Sequence, residues 1–491
     1  MGGTSYRDEA FHVLSVNGQN ISGIDFESSW YLNFAEENSI TLNNDIGGRL
    51  YGVSYFARAA YNYMNKYLLY GTIRADGSSK FTKDPWGYFP SVGIGWVLTE
   101  EPFMRDNGVF DFLKIRASWG KLGNDSVGAS AGSNTINVIS IGIDDVQTGG
   151  ITSTSTFTNN TWEVIEEKNF GTNFTMFDSR LSVDADYYIR DTKNAIMPVF
   201  VPIINATVER NSGVIRNQGL EIGLNWNNTI SEDFNYTVGV NLTTLKNETR
   251  SLTDPRGYIE AGTAEFRQRT IIGEPVRAFY GYETAGVYQN QAQVDADPVA
   301  VANSLVPGDL IYRDLNDDDI IDDNDRKVLG SYLPDFMYGG NLGVSYKDFD
   351  FSVSFYGQSG NKILNRKRGE IIFTQDTNMD ADLAINRWHG EGTSNSYPSS
   401  AGLRKGWNQK LSNFWVEDGD FFRIQNIQLA YTIKGEKLFG TNMPETKLTL
   451  TADRPFTFFN YNGFNPEVAN GVDRQVYPVP GVYTFGINIK I

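Results

Sequence analysis

The chain has 491 residues, a net charge of −17 and no cysteine, which removes disulfides, thiolate metal sites and cysteine nucleophiles together. No basic patch or stripe is evident, so a nucleic-acid partner is not expected. Hydrophobic residues make up 40%, yet no run reaches the roughly 18 apolar residues a membrane helix needs, so strands must do any spanning.

The N-terminal MGGTSYRDEAF lacks a basic segment followed by an apolar one, so no secretory signal is expected in it; either no membrane is spanned, or residue 1 is not the start of the native polypeptide. Residues 1–43 read as a loop segment, and the first clear strand is Arg49–Asn65. From there a period of two recurs. Side chains alternate between the two faces of a strand, and here one face is apolar while the other is polar or glycine. Val92, Ile94, Trp96 and Leu98 oppose Ser91, Gly93, Gly95 and Thr99; Leu113, Ile115, Ala117 and Trp119 oppose Lys114, Arg116 and Ser118. Leu181–Arg190, Leu220–Trp226, Phe234–Thr243, Tyr338–Lys347 and Phe349–Gly357 repeat the pattern. Gly339, Gly340 and Gly343 weaken the strand that holds them, and a slip of phase between Ile424 and Ile427 predicts a bulge before Ile433. The last segment is the most regular: Tyr483, Phe485, Ile487, Ile489 and Ile491 alternate with Thr484, Gly486, Asn488 and Lys490.

Connections sort by length. Met64–Lys66, Phe177–Arg180, Ser231–Asp233 and Lys347–Asp348 are tight turns, whereas 121–161, 193–213, 248–333 and 361–413 are long. Short turns on one side and long loops on the other characterise transmembrane barrels, as do abundant aromatics, here 26 Tyr, 31 Phe and 9 Trp. The reading is an all-β, transmembrane antiparallel β-barrel with lipid outside and a polar lumen. It gives roughly thirteen strands, an odd number in a class that uses even ones. A barrel that begins in mid-course leaves an open edge, and unpaired backbone cannot face lipid, so the remaining strands must come from elsewhere. A soluble alternative stays open: a secreted all-β glycan-binding protein, lectin or propeller, with the apolar face under a second layer.

These segments resemble the SusC/RagA-type TonB-dependent transporters of the outer membrane of Bacteroidetes. The likeness rests on KYLLYGTIRADGSSKF (Lys66–Phe81), GYFPSVGIGW (Gly87–Trp96), LKIRASWGKLGN (Leu113–Asn124), RLSVDADYYIRDT (Arg180–Thr192), IYRDLNDDDIIDDND (Ile311–Asp325), LPDFMYGGNLGVSYKDFDFSVSFYGQSG (Leu333–Gly360) and WVEDGDFFRIQNIQLAYTI (Trp415–Ile433). It covers about Ile46–Ile491 and implies the C-terminal part of a 22-stranded barrel, about strands 10 to 22 over residues 44–491, without the plug domain. It implies TonB-dependent import of a large nutrient, oligosaccharide or peptide. A SusD-like surface lipoprotein would lie over the outer loops, TonB would act through a plug-bearing segment, and outer-membrane lipid would surround the wall. The expected terminal residue of the family is aromatic, and Ile491 departs from it.

Two groups of residues are candidate sites. Asp314, Asn316, Asp318, Ile320, Asp322 and Asp325 stand at positions 1, 3, 5, 7, 9 and 12 of an EF-hand-like loop, with Ile320 offering its carbonyl. That spacing predicts Ca²⁺, weakened by Asp325 in place of Glu; the competing reading is a solvated acidic turn. Phe279, Tyr280, Tyr282, Tyr288, Trp388 and Trp407 could stack on cargo rings or simply pack loops against one another. Catalysis is not expected. His12 and His389 are the only histidines, and the Asp184 and Asp186 carboxylates read as lumen-facing partners for Lys114, Arg116 and Arg190 rather than a glycosidase pair.

Overall fold

A computed structural model describes the chain except residues 12–13, 20–34, 45–47, 82, 105–107, 127–133, 144–145, 157–159, 203–205, 264–265, 367, 369–379, 403–405, 435–436, 439–440, 443, 475 and 491. Part of each of the expected long loops, Ile46 and the terminal Ile491 therefore lie outside the described residues.

One antiparallel sheet of 15 strands dominates. Along it run β1 (Gly2–Phe11), β2 (Gly48–Tyr63), β3 (Tyr67–Ser78), β4 (Trp86–Val97), β5 (Phe110–Asn124), β6 (Glu163–Met176) and β7 (Leu181–Val201). They continue as β8 (Ala206–Ser231), β9 (Phe234–Thr244), β10 (Phe336–Tyr346), β11 (Phe349–Ser359), β12 (Phe421–Ile433), β13 (Thr446–Phe459) and β14 (Val482–Ile489). Each pairs only with its sequence neighbours, which makes a meander; a further strand, Lys246–Leu252, adds to the outer half of β8. β1 and β14 end the sheet, and neither has a second partner among the described residues.

The short turns close as expected. Left-handed backbone at Met64 (φ 54°), Asn65 (φ 60°), Asp178 (φ 56°) and Lys347 (φ 54°) reverses the chain within a few residues. The bulge also stands: the partners of β11 jump from Ile424 to Asn426. Three expectations change. Gly2–Phe11, placed in a loop, is a strand paired with β2 from Gly2↔Ala57 to Phe11↔Gly48; its run of Gly, Thr, Ser, Arg, Asp and Glu hides it from any apolar periodicity. It brings the spanning strands from the expected thirteen to an even number. Residues 193–213, read as a loop, are mostly strand, because β7 and β8 carry their ladder outward to Val201↔Ala206 past irregularities at Lys193 and Ala195. The glycines of β10 do not interrupt it: all of Phe336–Tyr346 is paired on both sides. A Cβ on Gly340 would lie 2.6 Å from the Phe355 ring, so the glycine makes room for a cross-strand aromatic.

The apolar face of this sheet has no layer over it. Ile94 is 59% exposed, Phe170 55%, Leu450 56% and Phe485 61%. A soluble two-layer protein would bury such a band, since contiguous apolar surface of this extent marks a membrane or a partner. Aromatics border it at both ends. Near the short turns, Tyr63 lies 6.4 Å from Tyr67, Phe177 5.9 Å from Trp226 and Phe349 4.6 Å from Tyr431. Toward the long loops, Tyr55 lies 6.1 Å from Trp86, and Tyr338 6.4 Å from Phe422. The opposite face is polar and internally paired: Arg116 meets Asp186 and Arg190 meets Glu167, the charge compensation the sequence predicts.

The packed core lies instead in the long loops. Phe266, Phe279, Leu364, Leu383, Leu411 and Trp415 form one cluster, and Tyr282, Val287, Val299, Leu310, Tyr312 and Ile321 another. A four-stranded sheet built from Tyr258–Thr263, Phe266–Ile271, Ala278–Tyr282 and Arg326–Gly330 supports them, with short helices α1 (Gln291–Ala296), α2 (Pro298–Ala302) and α3 (Ala381–Asn386). The described residues of the expected loops 248–333 and 361–413 thus pack together, except that 248–252 belong to the wall as part of Lys246–Leu252.

Candidate functional site

Within this loop layer is a cavity of about 850 Å³. Its wall comes from parts of the chain distant in sequence: Thr284–Gly286, Arg368, Asp382 on α3, Asn395–Tyr397, residues between Asn413 and Asp418, and Asn460–Asn462. The centre of its framework is Arg368, 4% exposed, which donates to both Asp382 and Glu417. The rings of Tyr397 and Phe414 lie 5.5 and 5.7 Å from its guanidinium carbon.

Each acid has further donors, as a buried charge requires. Tyr397 Oη donates to Asp382 at 3.0 Å, and Asn386 Nδ2 donates to it at 2.6 Å. Burial works against its charge, but these hydrogen bonds and the Arg368 cation prevail and hold the Asp382 carboxyl below the usual range. Glu417 accepts from Asn365 Nδ2 at 2.9 Å and from the Asn462 backbone at 2.7 Å. Asn462 Nδ2 returns to Asp380 at 3.2 Å, and Asp380 caps the start of α3 through the Asp382 and Leu383 amides. Burial, then its bond to Asp473, raises the Tyr461 hydroxyl. The charges are therefore committed to one another. What the lining offers a ligand is amides, hydroxyls and ring edges, among them Asn395, Ser396 and Asn460. It includes no histidine, lysine or cysteine, and His389 is exposed and turned to the Arg387 carbonyl.

The candidate aromatics separate by burial. Phe279, Tyr282 and Tyr288 are 0%, 3% and 2% exposed and hold the loop clusters together, leaving no ring face for a cargo molecule. Tyr280 is clasped by Arg269, 4.2 Å away, which also lies 4.0 Å from Tyr258. Trp388 and Trp407 pack on the second cluster, and Trp407 donates from Nε1 to the Leu310 carbonyl. None of the six lines the cavity. The residues that do were not singled out in the sequence, since they share no local spacing.

The acidic loop turns inward. Asp325, fully buried, accepts from the Leu315 and Asp322 amides at 2.8 Å each, and Asp318 accepts from the Ile320 amide at 2.9 Å. Asp314 accepts from Asp319 N at 2.7 Å; desolvation opposes its charge, but the backbone donors of residues 316–319 hold its carboxyl below the usual range. Asp317 (φ 57°) and Asp319 (φ 61°) adopt the left-handed geometry of the turn. As folded here, the carboxylates serve the loop's own amides, and among the described residues no three acidic or histidine side chains group to hold a metal ion.

A sequence profile of the "TonB dependent receptor-like, beta-barrel" family matches residues 3–359. The chain is 29% identical over 524 residues to TonB-dependent receptor P3 of Formosa agariphila, covering 100% of this chain and 50% of that protein. It is 28% identical to TonB-dependent receptor SusC of Bacteroides thetaiotaomicron, over 89% of this chain and 43% of that protein. The chain thus spans about half the length of the curated relatives it matches. Among solved structures, that of the RagAB peptide importer in its open-open state superposes with a TM-score of 0.80 at 21% identity, over 99% of this chain and 52% of that one.

Proposed function

Because the chain belongs to the TonB-dependent receptor β-barrel family of the outer membrane, we propose that it forms the wall and outer loop layer of a SusC-like importer. Its cargo would be a nutrient too large for porins, an oligosaccharide or a peptide. The observation that carries this reading is the uncovered apolar band between two aromatic borders, on a meander whose two edge strands have no second partner among the described residues. A plug-bearing segment and the remaining strands complete the pore, TonB acts through the plug, and a SusD-like lipoprotein closes over the loop layer. The cavity around Arg368 then faces incoming cargo with neutral hydrogen-bonding groups.

The test is fractionation and uptake. The protein should partition with outer membranes and require detergent, and cells lacking it should lose uptake of a labelled oligosaccharide or peptide. Release in soluble form without detergent, or uptake unchanged by its loss, overturns the proposal.

Ligand spacing alone supports calcium at Asp314–Asp325, with a Kd of about 10⁻⁴ M given the missing Glu. Binding requires Asp325 and Asp318 to share oxygens now accepting loop amides. Calorimetric titration of the chelator-treated protein settles it: no calcium heat, or equal heat from Asp314→Ala, removes the ion from the account.

A further inference from the structure

The outward face of β5 to β8 changes character within four residues. Ala117, Phe170, Tyr187 and Leu220 are directly paired across the four strands and form an apolar row. One step toward the long loops the row reads Trp119, Lys168, Ile189, Gln218 and, on the added strand, Lys246. The next row is wholly charged: Lys121 opposite Glu166, Glu166 opposite Asp191, Asp191 opposite Arg216, Arg216 opposite Glu248. A charged row about 13 Å beyond the apolar one, with a tryptophan between them, is where hydrocarbon gives way to headgroups.

Cations outnumber acids here, in a chain of net charge −17. The acids are also engaged. Glu166 accepts from Lys193 and from Trp119 Nε1, and Asp191 takes Arg216 through two bonds of 2.7 and 2.8 Å. Glu248 accepts from Arg250 at 2.6 Å and pairs with Lys246 at 3.9 Å. Two cations remain. Lys121 sits 5.8 Å from the Trp119 ring centre, and Lys168 is exposed with no acidic partner among the described residues. Directly below them, a shallow groove of about 360 Å³ runs between Ile115, Ala117, Phe170, Tyr187 and Leu220. Almost none of its surface is polar.

We propose that this face binds a phosphorylated lipid of the outer leaflet, its phosphate between Lys121 and Lys168 beside Trp119 and an acyl chain in the groove below. Charge complementarity selects the headgroup, and the groove's position selects a lipid over a soluble anion. Glu166, opposite Lys121, is already bonded to Lys193, and Asp191 to Arg216, so a phosphate need displace no salt bridge of either lysine.

The proposal rests on the membrane-barrel reading. Its test uses the protein purified from outer membranes in mild detergent, with native mass spectrometry reading bound bis-phosphorylated lipid A and its dephosphorylated counterpart. The phosphorylated lipid should bind at least fivefold more tightly; Lys168→Gln should cost about fivefold, and the Lys121→Gln, Lys168→Gln pair about 25-fold. Millimolar inorganic phosphate should not compete. Equal binding of the two lipids in the unaltered protein overturns the site without reference to any variant, as does unchanged affinity in the double variant. Displacement by inorganic phosphate would mark a free-anion site, and a second copy of the chain bound in the lipid's place would mark a protein interface; either refutes the lipid. Failure of the protein to insert into phosphatidylcholine vesicles would refute the barrel itself, which keeps the two outcomes distinct.

Discussion

Gly219 lies against the carbonyl of Thr244, where a Cβ would stand 1.9 Å from the oxygen. The contact marks a break in the ladder along β8. Residues 221–231 pair with β9, and Gly213–Gln218 pair with Lys246–Leu252 in continuing register, so the ladder is interrupted only where Gly219 and Leu220 face Leu245 and Thr244. Thr244 Oγ1 holds the seam by accepting from the Leu220 amide at 2.9 Å. Gly219→Ala should therefore destabilise the wall by about 2 kcal/mol, because backbone rather than a flexible side chain must yield. Gly223 on the same strand has nothing within 4 Å, and Gly223→Ala should be close to neutral. Heat-modifiable gel mobility compares the two; equal behaviour would mean the seam is not closely packed.

The medium on the apolar face can be probed by charge. Ile94 and Ile115 project from adjacent strands into the middle of the band, 59% and 47% exposed. If hydrocarbon bathes them, Ile94→Arg or Ile115→Arg should cost about 2–4 kcal/mol in folding into vesicles. Ser118→Arg, on the polar face, should fold nearly as well as the parent. Were water on both sides, the isoleucine substitutions would be harmless and would improve solubility. Folding yield into vesicles distinguishes the cases.

What the sequence made legible follows from what each segment faces. Strands with hydrocarbon on one side and water on the other must alternate, so β5, β7, β9 and β14 could be read residue by residue. β1 could not: GGTSYRDEAF has too few apolar side chains to alternate, and only its ladder to β2 reveals it. The outer halves of β7 and β8 were hidden for a related reason. Pro198, Asn194 and Asn211 look like loop residues, while Val199 and Val208, paired with each other, are 0% and 6% exposed and so are covered, unlike the lipid-facing band. The cavity was least legible, since Arg368, Asp382, Glu417 and Asn462 meet only through the folding of separate loops. The loop aromatics from Phe279 to Trp407 signalled that loops pack against one another, but not what they enclose.

The Arg368 framework predicts an asymmetric response. Arg368→Met leaves Asp382 and Glu417 facing each other without their cation, and should cost the loop layer about 3 kcal/mol, since removing one partner strands the others. Asn386→Ala removes one of several donors to Asp382 and should cost no more than about 1 kcal/mol. Trp415, fully buried beside Phe414 at 4.8 Å, supplies a fluorescence signal for both. Equal losses would place the stability of this layer in its apolar clusters alone.

Acid should open the same framework. The Asp382 carboxyl titrates below its unfolded value, so the folded layer binds fewer protons there than the unfolded chain. Its contribution is complete above about pH 4 and is lost as the pH falls through the lowered folded value. Trp415 emission should shift to the red below pH 4 and recover on neutralisation, while a protein carrying Asp382→Asn should show a flatter acid limb. A transition at neutral pH instead would point to another group.

Asp325 sets the local order of the acidic turn. Fully buried, it accepts from Leu315 N and Asp322 N, so truncation leaves two amides without their partner. Asp325→Ala should cost about 2 kcal/mol locally and open the peptide bonds around Asp317 and Asp319 to proteases. Asp318→Ala frees only the Ile320 amide and Asn316 Nδ2, both on the exposed rim, and should alter cleavage little. Limited proteolysis with mapping of the fragments checks the contrast. If Asp318→Ala proves the more damaging, the turn is held from its rim and not from its buried acid.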